Sequence, residues 1–194
     1  MSKILYLHGF NSSPASQKAQ QTQAWLAERG LAELFICPTL PSTPSAAAAL
    51  IAQVIEQHGP ANLTLLGSSL GGFLASWAAE QFDCRAVLIN PAVRPAQLMQ
   101  AYLGPQLNPY TGEEYLLEAH HIVELKALEP ARISAKRYWL LLETGDETLN
   151  YRDALAYYPG CKQTIIEGGD HSFQHWEPML PEVMAWASIP AGGN

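Results

Sequence analysis

Ser69 stands in Gly67-Ser68-Ser69-Leu70-Gly71, directly after the apolar run Leu63-Thr64-Leu65-Leu66 and directly before Phe73-Leu74-Ala75-Ser76-Trp77-Ala78-Ala79. A G-x-S-x-G pentapeptide between a strand and a helix is the pattern of a nucleophile elbow, in which a strained turn exposes a serine and small residues let backbones pass closely. The frame selects Ser69, because Ser68 has Leu66 and Leu70 where the glycines should be. A serine hydroxyl attacks only once a base removes its proton, so a histidine and an acid that orients it are expected downstream. Tyr138-Trp139-Leu140-Leu141-Leu142-Glu143 reads as a buried strand and runs into Thr144-Gly145-Asp146-Glu147, which puts Asp146 on the turn at its carboxyl end. The next strand candidate, Gln163-Thr164-Ile165-Ile166-Glu167, leads into Gly168-Gly169-Asp170-His171-Ser172. The predicted order is therefore Ser69, Asp146, His171. Two backbone N–H groups should hold a developing oxyanion, one just after the nucleophile and one after the first central strand. These are assigned to Leu70 and to Phe10, in His8-Gly9-Phe10-Asn11-Ser12-Ser13. His8, just before that turn, is expected to brace the loop rather than react.

Positioning such groups takes a sheet covered on both faces, and short apolar runs alternating with helical segments predict one. Strands are expected near 3–8, 34–37, 63–67, 86–90, 138–143 and 163–167, and helices near 15–29, 45–58, 71–82, 147–157 and 175–187. Cys37-Pro38-Thr39-Leu40-Pro41 cannot continue a central strand, since proline removes ladder donors. The tail from Ile189 to Asn194 is expected to fray. At 194 residues and 48% apolar content, the chain fits a single domain with a sizeable core. A formal charge of −7 with no Lys/Arg cluster argues against nucleic acid or an anionic membrane as partner, though one local basic pocket would escape that count. Only four apolar residues follow Met1-Ser2-Lys3 before His8, too few for a secretory signal, and no stretch approaches a membrane span. Cys37, Cys84 and Cys161 are widely spaced and lack a C-x-x-C, so they suggest neither a disulfide framework nor a zinc site. A cytoplasmic location is the expectation.

Almost fifty residues separate the strand ending near Asn90 from the one beginning at Tyr138, where a crossover needs far fewer. Residues 91–137 form a candidate cap insertion, with a short helix from about Glu118 to Glu129 and aromatic and leucine side chains able to line an acyl pocket. Other clusters fit metal chemistry poorly. His171 and His175 are four apart with Glu177 nearby but lack H-E-x-x-H, and the adjacent His120 and His121 should point to different helix faces, unable to grip one ion. Asp170 is a weaker candidate acid than Asp146, because a neighbour in sequence seldom reaches the same ring. No metal and no organic cofactor is expected.

His8-Gly9-Phe10-Asn11-Ser12-Ser13-Pro14, Gly67-Ser68-Ser69-Leu70-Gly71-Gly72, Asn90-Pro91-Ala92, Asn108-Pro109-Tyr110-Thr111-Gly112, Thr144-Gly145-Asp146-Glu147 and Glu167-Gly168-Gly169-Asp170-His171 together resemble the small bacterial α/β-hydrolases of the YqiA esterase family. The elbow and triad order are shared by the wider superfamily, and the Asn-Pro-Tyr-Thr-Gly stretch is the more specific element. The resemblance implies a compact α/β-hydrolase fold of about six mainly parallel strands. It also implies a cytoplasmic serine esterase acting on acyl esters or acyl-CoA thioesters, with Ser69, Asp146 and His171 as triad. The chain looks short for the superfamily, as if the antiparallel strands preceding the first central one were missing. A lyase or acyltransferase using the same site, and a binding protein without turnover, are the competing readings; fold alone does not decide among them.

Overall fold

The computed structural model describes residues 2–190. Six strands form one sheet: β1 (Lys3–Leu7), β2 (Phe35–Ile36), β3 (Leu63–Ser68), β4 (Arg85–Ile89), β7 (Tyr138–Glu143) and β8 (Lys162–Ile166). Their spatial order is β2-β1-β3-β4-β7-β8 and every neighbouring pair is parallel. Successive side chains on a strand point to opposite faces, so each apolar run feeds two cores at once. Leu5, Leu7, Leu65, Leu88, Leu140 and Leu142 pack under α2 (Pro44–His58) and α3 (Leu70–Phe82). Ile4, Tyr6, Leu66, Val87, Trp139 and Leu141 pack on the other face, under α1 (Gln17–Ala27) and α7 (Trp176–Trp186). The expected mainly parallel α/β sheet is the one observed.

The chain leaves β1 for β2 on one side and returns to β3 on the other, so the strand order reverses between β1 and β3. At such a switch point the two following loops part and leave a crevice beyond the strands' carboxyl ends. The loop after β1 and the turn after β3 flank that crevice.

Between β4 and β7 lie α4 (Pro95–Met99), strands β5 (Gly104–Leu107) and β6 (Glu114–Leu117), and α5 (Ala119–Ala127). The antiparallel hairpin, with Gly104 opposite Leu117 and Leu107 opposite Glu114, was not expected. Its strands are four residues long, carry Pro105 and leave Leu107 and Leu116 half exposed, so neither length nor alternation announces them. Asn108 holds it in place: its Oδ1 accepts the Tyr110 N–H at 2.9 Å within the turn, and its Nδ2 donates to Ser12 O at 2.9 Å. Tyr115 Oη also donates to Asn11 Oδ1 at 2.7 Å. The hairpin thus grips the loop after β1.

Three further boundaries differ from expectation. The strand expected over 34–37 shrinks to Phe35–Ile36. The helix expected from 147 begins only at Tyr151, as α6 (Tyr151–Tyr157), because Asp146 Oδ1 takes the N–H groups of Thr148 and Leu149 into a turn. Ile189, placed in the frayed tail, is instead buried with its N–H on Met184 O at 2.9 Å; residues 191–194 of that tail lie outside the described residues. Among the described residues no helix is long and apolar enough to cross a membrane.

Candidate active site

Ser69 sits between β3 and α3 with φ 54° and ψ −120°, a conformation that costs a non-glycine residue about 1–3 kcal/mol. The turn is held from both sides: the Ser69 N–H donates to Ile89 O at 3.0 Å, and Ser69 O accepts from Ala92 N at 3.0 Å. The flanking glycines are required by clearance. A Cβ on Gly71 would lie 2.0 Å from Leu7 O, and one on Gly67 would lie 2.4 Å from Gly71 O. The elbow therefore threads against the end of β1, which is why the loops after β1 and β3 share one crevice.

His171 Nε2 lies 3.0 Å from Ser69 Oγ, and its Nδ1 lies 2.9 Å from Asp146 Oδ2 and 3.0 Å from Oδ1. The structure thus brings Ser69, His171 and Asp146 into one hydrogen-bonded chain, with the Asp146 carboxylate 2% exposed and the His171 ring 23% exposed. Since Nδ1 faces a carboxylate, the neutral ring carries its proton there and leaves Nε2 free to accept from the hydroxyl. Asp170 turns elsewhere: its Oδ1 accepts the Ser172 N–H at 2.8 Å, and hydrogen bonds from the Ser172 and Gln174 side chains hold its carboxyl below the usual range.

Phe10 and Leu70 line the cavity together with Gly9 and Ser69. The Leu70 N–H is the first of α3 and lies before any intrahelical acceptor. His8 is buried, and its Nε2 accepts the Leu40 N–H at 3.0 Å, which leaves Nδ1 to donate to Gly9 O at 3.1 Å. Burial lowers its pKa. Its contacts are those of a brace tying the loop after β1 to the segment before α2.

The loop that carries His171 is fastened by residues to which the sequence assigned no role in the site. Glu143, the last residue of β7, is fully buried. Its Oε2 accepts the N–H groups of Asp170 at 2.8 Å and Gln174 at 3.1 Å; its Oε1 accepts His175 N at 3.0 Å and His175 Nδ1 at 2.7 Å. Gly169 must lack a side chain there, since a Cβ would fall 1.8 Å from Glu143 Oε2. Asn90 adds a second tie, accepting the Glu143 N–H at 3.0 Å and donating to Asp170 O at 3.0 Å. Outside the loop, Glu147 Oε2 takes the His171 N–H at 3.0 Å, and backbone N–H groups of Glu147 itself and of His171 lower the Glu147 pKa. Nothing periodic in sequence signals these ties. The hints are a carboxylate at the end of an otherwise apolar strand, and the presence of Asn90, Glu147 and Gly169 in the stretches that carry the family resemblance.

The cavity over Ser69 has a volume of about 430 Å³, within the range of small-molecule sites. Leu98, Met99, Tyr102 and Tyr110 of the insertion line it; the Tyr102 ring meets Phe10 edge-on at 5.6 Å. Leu103, Leu107 and Leu116, also in the insertion, are instead exposed.

One expectation about metals needs correction. His120 and His121 do not diverge: their ring centroids are 3.9 Å apart, and ligand atoms of His120, His121 and Glu124 lie within 4.8 Å of one another. Both histidines stand in the first turn of α5, where side chains lean back toward the N-terminus. His121 Nδ1 accepts the Glu118 N–H at 2.9 Å, which folds its ring onto His120. These three residues could meet an ion, but His121 Nδ1 is already capping the helix and Glu124 Oε2 already accepts the Ser45 N–H at 3.0 Å. His175 pairs with Glu143 rather than with His171.

A family model described as "Uncharacterised protein family (UPF0227)" matches residues 3–188. Among solved structures, the chain superposes on Est1E from Butyrivibrio proteoclasticus with a TM-score of 0.70 at 16% identity, covering 95% of this chain and 86% of that one. Mouse alpha/beta hydrolase domain-containing protein 10 gives 0.67 at 18% identity, over 96% and 89% of the two chains. The monoacylglycerol lipase of Paleococcus ferrophilus gives 0.65 at 15%, over 95% and 93%. At such identities the likeness speaks for the α/β-hydrolase fold.

Proposed function

We infer, for a chain that belongs to the UPF0227 (YqiA) family and has the α/β-hydrolase fold, that it is a serine esterase working through an acyl-enzyme. The observation that carries this reading is the unbroken path from Ser69 Oγ to His171 Nε2 at 3.0 Å and from His171 Nδ1 to Asp146 Oδ2 at 2.9 Å, at the floor of a cavity. His171 takes the hydroxyl proton as Ser69 Oγ attacks the acyl carbon, and Asp146 stabilises the imidazolium that forms. The backbone N–H groups of Phe10 and Leu70 receive the oxyanion. His171 then protonates the departing oxygen, the ester C–O bond breaks, and a water deprotonated by the same ring releases the acid from Ser69. Side chains and water supply every proton in this sequence.

Residues 91–137 act as a cap within a single domain, and the leucine, methionine and tyrosine side chains that they contribute to the cavity suit a small or medium apolar acyl group. A thioester carbonyl is attacked in the same way, so acyl-CoA thioesters form a second substrate class. Three free cysteines, Cys37, Cys84 and Cys161, support a cytoplasmic setting.

The test is hydrolysis of p-nitrophenyl esters and acyl-CoA thioesters over a ladder of acyl lengths, with wild type and Ser69→Ala, alongside fluorophosphonate labelling mapped by mass. Turnover and label that both depend on Ser69 support the reading. Label without turnover redirects it to transfer or to a lyase, and loss of both makes a binding protein the leading account.

A further inference from the structure

The cavity holds one cation for which ester hydrolysis as such has no use. Lys18, in the first turn of α1, lines it, and Nζ donates to Ser172 O at 2.6 Å. Among the described residues that carbonyl is its one hydrogen-bond partner, so an ammonium with three donors keeps two of them free. Lys18 is also the only Lys or Arg among the lining residues, and no Asp or Glu lines the cavity. The three carboxylates whose charges reach it are all engaged elsewhere: Asp146 by His171, Glu143 by the loop N–H groups, Asp170 by Ser172 and Gln174. Burial pulls the Lys18 pKa down to about 8 against the opposing pull of those carboxylates, a position that an incoming anion would relieve.

We propose that the natural ester carries an anionic group, a carboxylate or a phosphate, on its alcohol portion, and that Lys18 Nζ binds it. This rests on the serine-esterase reading. The alcohol side follows from connectivity: Lys18 is held on the carbonyl of Ser172, the residue after His171, and His171 is the group that must protonate the departing oxygen. Most of the apolar lining comes from different elements, the insertion and the loop after β1, and takes the acyl chain.

The experiment compares two pairs of esters with one acyl group: the acyl ester of 4-hydroxybenzoate against that of its methyl ester, and acylglycerol phosphate against acylglycerol. The quantity read is the ratio of kcat/KM, anionic over neutral, in wild type, Lys18→Met and Lys18→Arg. Comparing the ratio between variants cancels differences in leaving-group reactivity. In at least one pair, Lys18→Met lowers the ratio by on the order of tenfold, mainly through KM, and Lys18→Arg restores most of it. The carboxylate and phosphate pairs tell the two anions apart. Equal ratios in wild type and Lys18→Met for both pairs would overturn the proposal. Absence of any Ser69-dependent turnover of the neutral esters would instead overturn the esterase reading beneath it.

Discussion

Replacing Glu143 tests whether the histidine loop is positioned from behind. In Glu143→Gln one oxygen remains to accept the Asp170 and Gln174 N–H groups, now at 2.8 and 3.1 Å from Oε2, while an NH2 replaces the other. The His175 ring can adapt by exchanging tautomers and accepting at Nδ1, but the His175 backbone N–H, 3.0 Å from Oε1, cannot reverse its sense. One buried donor is orphaned, at a cost of about 1–3 kcal/mol. For a chain of this size each kcal/mol moves Tm by about 2–4 °C, so Glu143→Gln should melt roughly 2–12 °C lower. Glu143→Ala orphans three backbone donors and opens a void; loop relaxation toward water holds the loss to about 3–5 kcal/mol. The effect on chemistry is separable. A shift of the loop by about 1 Å would spoil the 3.0 Å contact between His171 Nε2 and Ser69 Oγ, and misplacement on that scale costs about a hundredfold. Assayed on p-nitrophenyl esters well below its own Tm, Glu143→Ala should therefore lose about a hundredfold in kcat with KM nearly unchanged, and Glu143→Gln should lose less. A Glu143→Ala protein that melts much lower yet retains wild-type kcat would refute the positioning argument and leave Glu143 with a stabilising role alone.

Asp146→Asn preserves shape but offers an amide where His171 Nδ1 now meets a carboxylate at 2.9 Å, favouring the tautomer with its proton on Nε2; kcat should fall by about 10³–10⁴-fold with the circular dichroism spectrum unchanged. Gly71→Ala places a Cβ 2.0 Å from Leu7 O, so the elbow cannot close on β1, and urea titration should show a loss of about 3 kcal/mol or no soluble protein. His8 is buried and its pKa is lowered by desolvation, so the unfolded chain binds a proton before the folded one does. Its contribution to stability is constant above the unfolded value of about 6.5 and is lost as pH falls from there to the folded value. Between pH 7.5 and 5, His8→Gln should show a flatter fall in Tm than wild type; parallel curves would count against this account.

What the chain reveals by itself is what short-range chemistry encodes. The elbow was legible because a strand, two glycines, a serine and a helix lie within one stretch of about twenty residues, and the core because apolar residues, leucine above all, fill most positions of β1, β3, β4 and β7. The hairpin was not legible, since four-residue strands with Pro105 and exposed leucines match no period. The meeting of His120 with His121 was misjudged because helical spacing predicts where Cβ atoms point, while a ring drawn back onto the Glu118 N–H answers to a cap.

Residue type, order and local context therefore determined the parallel α/β sheet and named Ser69, Asp146 and His171 as a set that chemistry could use. Only the tertiary structure decided that they touch, because Ser69 and His171 are 102 positions apart and their 3.0 Å contact depends on how β3, β4, β7 and β8 stack in register. The same holds for Glu143 behind the histidine loop, Asn108 latched to the loop after β1 and Lys18 in the cavity. Each acts on backbone groups from a distant part of the chain, and a backbone N–H or carbonyl leaves no mark in the sequence to say which side chain will find it.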